Sequence, residues 1–203
     1  MEENYNGLTI KGKKIYTALK NGKIEYWDPY SSKPAAAITN GLQNFPVKHG
    51  QKILYLGAAH GTTISHFSNI VGVDGSIFGV EFSGKVISEL LKKAGKKKNI
   101  IPLLEDAHYP EKYGWVGLVD FVYEDIAQRD QIAILKRNAE VFLKSGGFIA
   151  VALKAKSIDS VRDVKEIYKE AIIELSETFG IIETVILDPF ERDHMFIVGR
   201  AKV

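Results

Sequence analysis

The sequence predicts an α/β protein, a mostly parallel sheet that closes on an antiparallel strand pair and carries a small antiparallel β-hairpin unit in front of it. Three observations lead there. From Gln51 onward short apolar runs alternate with stretches of helical periodicity, the pattern of strands joined by crossover helices. The last two apolar runs are separated by a polar turn too short for a crossover helix, so they must pair antiparallel. In the N-terminal part, apolar and polar residues alternate singly around glycine turns, which marks hairpins.

Taken in order, "GLTIKGKKIYTALKNGKIEYWDPYSSK" turns at Lys11-Gly12 and again at Asn21-Gly22, the latter a two-residue hairpin signal. Ser31 and Ser32 then precede "KPAAAITNGL", where Pro34 in the first turn and three alanines predict a short helix ending at Asn40-Gly41. We draw the boundary there: residues 1–45 form the small β unit with its short helix, and residues 46–203 the main domain. In the latter, "KILYL", "SIFGVEF", "NIIPLLE", "LVDFVYED" and "GGFIAVALK" are the expected parallel strands. A long helix is expected from about Val161 to Phe179, followed by "IIETVILDPF" and "HMFIVGRAKV" as the antiparallel pair.

At 203 residues and 45% hydrophobic content, the chain can bury one sizeable core. No run approaches the roughly 20 apolar residues of a membrane span, and "MEENYNGLTIKGKK" has no apolar signal block. A soluble, cytoplasmic protein with no membrane role is expected. The absence of cysteine removes disulfides, thiol nucleophiles and zinc–cysteine sites, and five scattered histidines offer no metal-ligand spacing. A net charge of +2, from 27 basic and 25 acidic residues, is too balanced for gripping nucleic acid by bulk electrostatics. Charge is concentrated locally in "LKKAGKKKN", where Lys96, Lys97 and Lys98 are candidate phosphate contacts.

The loop "YLGAAHGTT" follows the first parallel strand as a nucleotide-binding turn would, yet keeps only Gly57 and Gly61 of the glycines that wrap a pyrophosphate. A phosphate-free adenosine ligand suits it better. Twenty residues after Gly61, at the next strand end, Glu81 can accept hydrogen bonds from both ribose hydroxyls. Asp106 ends the third strand, where it can read an adenine edge, and Asp125 ends the fourth. All three carboxylates fall on the carboxyl rim, where open α/β sheets bind ligands. An adenosine ligand whose cationic centre meets Asp125 describes S-adenosylmethionine.

These residues, together with "DPYSSKPAAAI", "GVEFS", "EDA", "VYEDIAQRDQ", "GGFIAVALKAKSID" and "PFERDHMFIVG", resemble fibrillarin in its short archaeal form, in conserved order over nearly the whole chain. The resemblance implies a Rossmann-like, S-adenosylmethionine-dependent methyltransferase that modifies the ribose 2′-hydroxyl of ribosomal RNA, and possibly transfer RNA. It would act as the catalytic subunit of a box C/D guide ribonucleoprotein. Implied partners are a Nop-type scaffold protein, a kink-turn-binding ribosomal-type protein, the guide RNA and the target rRNA. Implied cofactor contacts are Gly57, Ala59, Thr62, Thr63, Glu81, Phe82, Asp106, Ala107, Asp125, Ile126, Ala127 and Gln128. Phe82 can lie against adenine, and the helix opened by Thr62 and Thr63 can face the methionine carboxylate.

The resemblance also implies a catalytic tetrad of Lys33, Asp125, Lys154 and His194. In this reading Lys154 meets the 2′-oxygen and stabilises developing alkoxide, Asp125 orients that lysine, and Lys33 and His194 complete the polar cage. Three positions depart from the family pattern: His60 replaces a small hydroxyl residue, His108 an arginine, and Glu124 a small residue. His60 could crowd the cofactor. Glu124 should face the other side of its strand from Asp125, so a large pKa effect is not required. His49 and His66 read as exposed or structural. Rival readings are a nicotinamide dehydrogenase, disfavoured by the missing glycine and the antiparallel end; a small-molecule O-methyltransferase, for which no lid or metal site is present; and a ribonucleoprotein scaffold without activity, which has no use for the tetrad.

Overall fold

The structure is a computed structural model that describes residues 2–5, 7–19 and 21–202, the first four as backbone only. Four antiparallel strands, β1 (Glu2–Tyr5), β2 (Leu8–Lys11), β3 (Lys14–Ala18) and β4 (Ile24–Trp27), form a small sheet in chain order. The tight two-residue hairpin falls at Gly12 and Lys13, between the paired Lys11 and Lys14, with Gly12 at φ 61°. At Asn21-Gly22 the expected two-residue hairpin is not formed. The turn there is wider and is closed by Leu19 N–H donating to the Lys23 carbonyl, because the Asn21 side chain accepts from Lys23 N–H and draws that residue into the loop.

Helix α1 (Lys33–Thr39) starts with proline in its first turn and buries Pro34 and its three alanines. Then come β5 (Lys52–Leu56), α2 (Thr62–Val71), β6 (Ser76–Glu81), α3 (Ile87–Lys96), β7 (Ile100–Leu104), a 3₁₀ turn at Pro110–Val116, β8 (Val119–Glu124), α4 (Gln131–Phe142) and β9 (Leu143–Lys154). A short helix, α5 (Ala155–Ile158), precedes α6 (Val164–Thr178), which the Asp163 carboxylate caps by accepting from Lys165 and Glu166 N–H. The chain ends with β10 (Phe179–Ile186) and β11 (His194–Ala201).

The seven-stranded sheet runs β10-β11-β9-β8-β5-β6-β7. Its five central and right-hand strands are parallel, and β11 is antiparallel to both neighbours. Strand order reverses between β5 and β8, so a crevice opens at their carboxyl ends. Alternate residues feed two cores. Tyr55, Phe121, Tyr123 and Phe196 pack under α1, α2 and α3, and this core also takes in Trp27, Leu8 and Ile15 of the small sheet. Leu54, Val122, Val151 and Ile197 pack under α4, α6 and Tyr113. The small sheet therefore shares the core of the large one. His66, buried on α2, stacks on Trp27 with ring centroids 5.0 Å apart, and His49 stands exposed near Asp74. No helix among the described residues is long and apolar enough to cross a membrane.

Candidate active site

The crevice is held open by backbone geometry. Gly57 turns at φ 79° directly after β5, and a Cβ there would lie 2.5 Å from the Asp125 carbonyl oxygen. Only glycine lets the two loops approach so closely. Gly61, also at φ 79°, ends the loop against Leu90 of α3 and starts α2. Between them Ala59 sits at φ 46° and donates its N–H to Glu81 Oε2 at 3.0 Å, while Glu81 Oε1 accepts from Ser83 N–H at 2.9 Å. The buried Glu81 carboxylate is thus fixed by two amides and keeps lone pairs for a ligand.

A cavity of about 280 Å³ fills this crevice. Of the expected cofactor residues, Gly57, Ala59, Glu81, Phe82, Asp106, Ala107, Asp125, Ile126, Ala127 and Gln128 all line it. Thr62 and Thr63 do not: Thr62 is exposed, and the buried Thr63 hydroxyl is hydrogen-bonded to Ser32 Oγ at 2.8 Å. Both stand at the start of α2, and Thr63 braces the residue before Lys33. His60 is exposed and outside the cavity wall, so it does not crowd the site.

Val80, Glu105 and Ile134, which the sequence reading did not single out, complete the wall together with His108, one of the three departures from the family pattern. The lining holds four carboxylates, Glu81, Glu105, Asp106 and Asp125, and no lysine or arginine. Such a surface repels a pyrophosphate and favours a cation. Apolar Val80, Ala107, Ile126 and Ile134, with the 70% exposed Phe82 ring at the mouth, give a flat base its stacking and burial surface. The donor set fits S-adenosylmethionine: a fixed carboxylate for the ribose diol, apolar walls for adenine, acidic groups for the sulfonium and the free first-turn amides of α2 for the carboxylate.

At the rim His108 bridges two carboxylates, with Nδ1 2.7 Å from Asp106 Oδ1 and Nε2 3.1 Å from Asp130 Oδ2. His108 N–H also donates to Asp106. The backbone amide and ring of His108 hold the Asp106 carboxyl below its ordinary value, and the hydrogen bond to Asp106 raises His108.

Of the four residues expected to form a tetrad, Asp125 lines the cavity. Lys33 Nζ lies 3.1 Å from Asp125 Oδ1, and 3.9 Å from Glu191. His194 stands directly across from Lys154 in the β11–β9 register, so both side chains leave the same sheet face. His194 Nδ1 is 2.7 Å from the Arg192 carbonyl. Since a carbonyl only accepts, Nδ1 carries a hydrogen, and Nε2 of the neutral ring is left as an acceptor. The expected partnership of Asp125 with Lys154 is corrected: the lysine on Asp125 is Lys33, brought there by α1, and no ion pair among the described residues engages the Lys154 ammonium. Burial pushes the Asp125 carboxyl above its ordinary value, Lys33 and His194 pull it down, and Glu191 adds to the rise.

Glu124 also departs from expectation. Its side chain does face away from Asp125, but it has no exposed surface and neither oxygen has a hydrogen-bond partner among the described residues. Burial, with the nearby charges of Asp125 and Asp130, holds its carboxyl well above the usual range. Lys97 is half-buried and differs from its neighbours. Its ammonium donates to the Ser65 carbonyl and to Asn69 Oδ1, whereas the other two candidates, Lys96 and Lys98, are exposed, as is Lys92. Among the described residues no histidine and carboxylate cluster is placed to hold a metal ion.

The fibrillarin family model matches residues 3–203. This chain belongs to the fibrillarin family. It is 45% identical over 196 residues to the fibrillarin-like rRNA/tRNA 2′-O-methyltransferase of Thermococcus sibiricus, covering 94% of this chain and 87% of that protein. The fibrillarin of a solved fibrillarin/Nop5p complex superposes with a TM-score of 0.93 at 39% identity, over 98% of this chain and all of that one. Aeropyrum pernix fibrillarin, solved with natively bound S-adenosylmethionine, gives a TM-score of 0.86 at 38% identity, over 98% of this chain and 97% of that one. The seven-stranded sheet with its antiparallel end is thus the fibrillarin methyltransferase fold, and the small N-terminal sheet belongs to it.

Proposed function

We propose that this chain transfers the methyl group of S-adenosylmethionine to the ribose 2′-hydroxyl of ribosomal and transfer RNA. The observation that carries the reading is a carboxylate-lined cavity, free of lysine and arginine, whose wall includes Asp125 paired with Lys33, while Lys154 and His194 stand opposed in the β9–β11 register. The relatives named for rRNA and tRNA 2′-O-methylation and for bound S-adenosylmethionine support it.

When bound, the cofactor supplies an electrophilic methyl on a sulfonium, from which the methyl–sulfur bond breaks as the new carbon–oxygen bond forms. The chain's residues do the rest. Glu81 binds the ribose diol, and the walls from Val80 to Ile134 exclude water from the base. Lys33 opposes the rise that burial imposes on the Asp125 carboxyl and so favours its ionised form beside the positive centre. The acceptor hydroxyl is a very weak acid, so its oxygen needs charge stabilisation and its proton a destination. The Lys154 ammonium donates to that oxygen, and His194 Nε2 receives the proton.

Partner dependence belongs to this reading. The fibrillarin/Nop5p complex supports a Nop-type scaffold as partner. A kink-turn-binding protein and a box C/D guide RNA would then present the paired target ribose, because a net charge of +2 gives the chain little grip of its own on RNA. In this reading the particle works in the cytoplasm.

The deciding test is calorimetry with S-adenosylmethionine and NAD side by side, followed by single-turnover methylation in the reconstituted particle. Binding of the first and not the second is expected, and Lys154→Ala should slow methylation by at least about 10²-fold. NAD binding alone, or Lys154→Ala at the parent rate, would overturn the reading.

A further inference from the structure

One buried polar side chain at the site has no role in the scheme above. Gln131 is the first residue of α4 and the last of the "VYEDIAQRDQ" motif, and it exposes no surface. Its carboxamide points at the end of β9. The parallel pairing of β8 with β9 stops at Glu124 and Val151, yet β9 continues to Lys154. On its other side β11 still accompanies it, pairing His194 with Lys154. On the β8 side the strand neighbour has gone, because β8 has turned off into the Asp125–Gln128 cofactor loop.

Gln131 fills that gap. Its Oε1 accepts from Lys154 N–H at 3.1 Å, and its Nε2 donates to the Lys154 carbonyl at 3.2 Å. A side-chain amide thereby gives Lys154 the donor and acceptor that a neighbouring strand would have given. The same Nε2 donates to the Gln128 carbonyl at 2.9 Å. One buried group therefore ties the backbone of Lys154 to the loop that starts at Asp125 and lines the cofactor cavity.

We propose that Gln131 is the positioning residue for methyl transfer: by completing the sheet edge at Lys154 and bonding the cofactor loop, it fixes the lysine ammonium relative to the bound methyl donor. The inference rests on the proposed role of Lys154. Gln131 touches neither substrate nor cofactor, so its effect runs through the lysine. Misplacement by an ångström is enough to slow an aligned displacement severely. Asparagine is one methylene too short to reach both carbonyls, and glutamate would turn a donor toward two carbonyl oxygens into an acceptor.

The test is a double-mutant cycle in the reconstituted particle, reading single-turnover rate at saturating S-adenosylmethionine, cofactor affinity and thermal unfolding for Gln131→Met, Lys154→Ala and the pair. Gln131→Met should lower the rate roughly tenfold or more while leaving cofactor affinity within about threefold. Added to Lys154→Ala it should cost nothing further in rate, since the lysine it positions is gone. A purely structural glutamine would instead multiply its loss onto that of Lys154→Ala, and that result, or a parental rate for Gln131→Met, overturns the proposal. Should Gln131→Met unfold, Gln131→Asn keeps an amide in place and answers the same comparison. A parental rate for Lys154→Ala alone would overturn the role of Lys154 and this inference with it, so the two failures remain distinguishable.

Discussion

Replacing Lys33 with methionine removes the charge on Asp125 while keeping the length of the side chain. The ammonium sits 3.1 Å from Oδ1, with the two side chains 22% and 19% exposed. Breaking a buried pair by deleting one partner costs about 3–5 kcal/mol. Partial exposure lets water screen the charge left behind, so we take about 1–3 kcal/mol for Lys33→Met at neutral pH. The cost is conditional on ionisation. When Asp125 is protonated only the looser Glu191 contact at 3.9 Å remains for the lysine, and most of the penalty should vanish.

The sign follows from linkage. Burial already holds the Asp125 carboxyl above the value of an unfolded aspartate, and Lys33 and His194 limit the rise. Loss of Lys33 raises it further. Between the folded-state values of parent and variant, the parent is ionised and the variant is not, so the variant's deficit grows with pH and then levels off. Denaturant unfolding of both proteins at several pH values from about 4 to 8 reads this directly. A deficit that is the same at every pH would refute the reasoning, since it would mean that Lys33 contributes packing alone. Methylation at neutral pH should fall with the same substitution, and Lys33→Arg should retain most of it.

The rim offers a second pH effect: both ring nitrogens of His108 face carboxylates, so the full bridge needs the imidazolium form, in which both donate, with Arg137 on its carbonyl and Lys112 beside Asp106. The folded value is raised above 6.5, so the bridge is complete below that and lost as pH rises through the raised value; S-adenosylmethionine affinity by calorimetry should weaken on the alkaline side for the parent and stay flat for His108→Arg. Glu124→Leu should raise stability by about 1–3 kcal/mol by removing a buried carboxyl without partners, with a gain that grows as pH rises above 4.5, where the unfolded group ionises and the folded one does not. A loss of stability at neutral pH would show that Glu124 has a stabilising partner. Lys96→Gln with Lys98→Gln should weaken RNA engagement and flatten its salt dependence, whereas Lys97→Gln should lower the melting temperature, because its ammonium braces α2. Equal salt slopes for the parent and the Lys96/Lys98 double variant would remove the tract from the RNA interface.

Much of this was legible in the sequence because periodicity and punctuation report on single elements. The apolar runs marked the strands, Gly57 and Gly61 the sharp turns, and Glu81, Asp106 and Asp125 the strand ends that meet at one rim. What escaped depends on contacts between elements far apart in the chain. That Asp125 pairs with Lys33 rather than Lys154 is decided by how α1 crosses the sheet, and no local pattern encodes it. The Thr63 hydroxyl turns to Ser32, a choice between capping and a distant partner that a threonine at a helix start leaves open. In the lysine tract, the chain leaves α3 in extended backbone at Lys97, which points that side chain back at α2 while Lys96 and Lys98 face solvent.

These missed contacts share a physical logic. Each tetrad member stands where a regular element has just begun or ended: Lys33 opens α1, Asp125 follows β8, Lys154 ends β9 and His194 opens β11. Such positions expose side chains to a ligand, and they also leave backbone groups without their regular partners. The chain supplies those partners with side chains or carbonyls from elsewhere: Gln131 for Lys154, Leu56 for the Asp125 N–H, and the Asp193 carbonyl for Ala155 N–H beside the lysine. In the proposed scheme the reactive groups are therefore placed by the bonds that repair the element ends. A substitution at Gln131 or Ser32 can then act on chemistry it never touches.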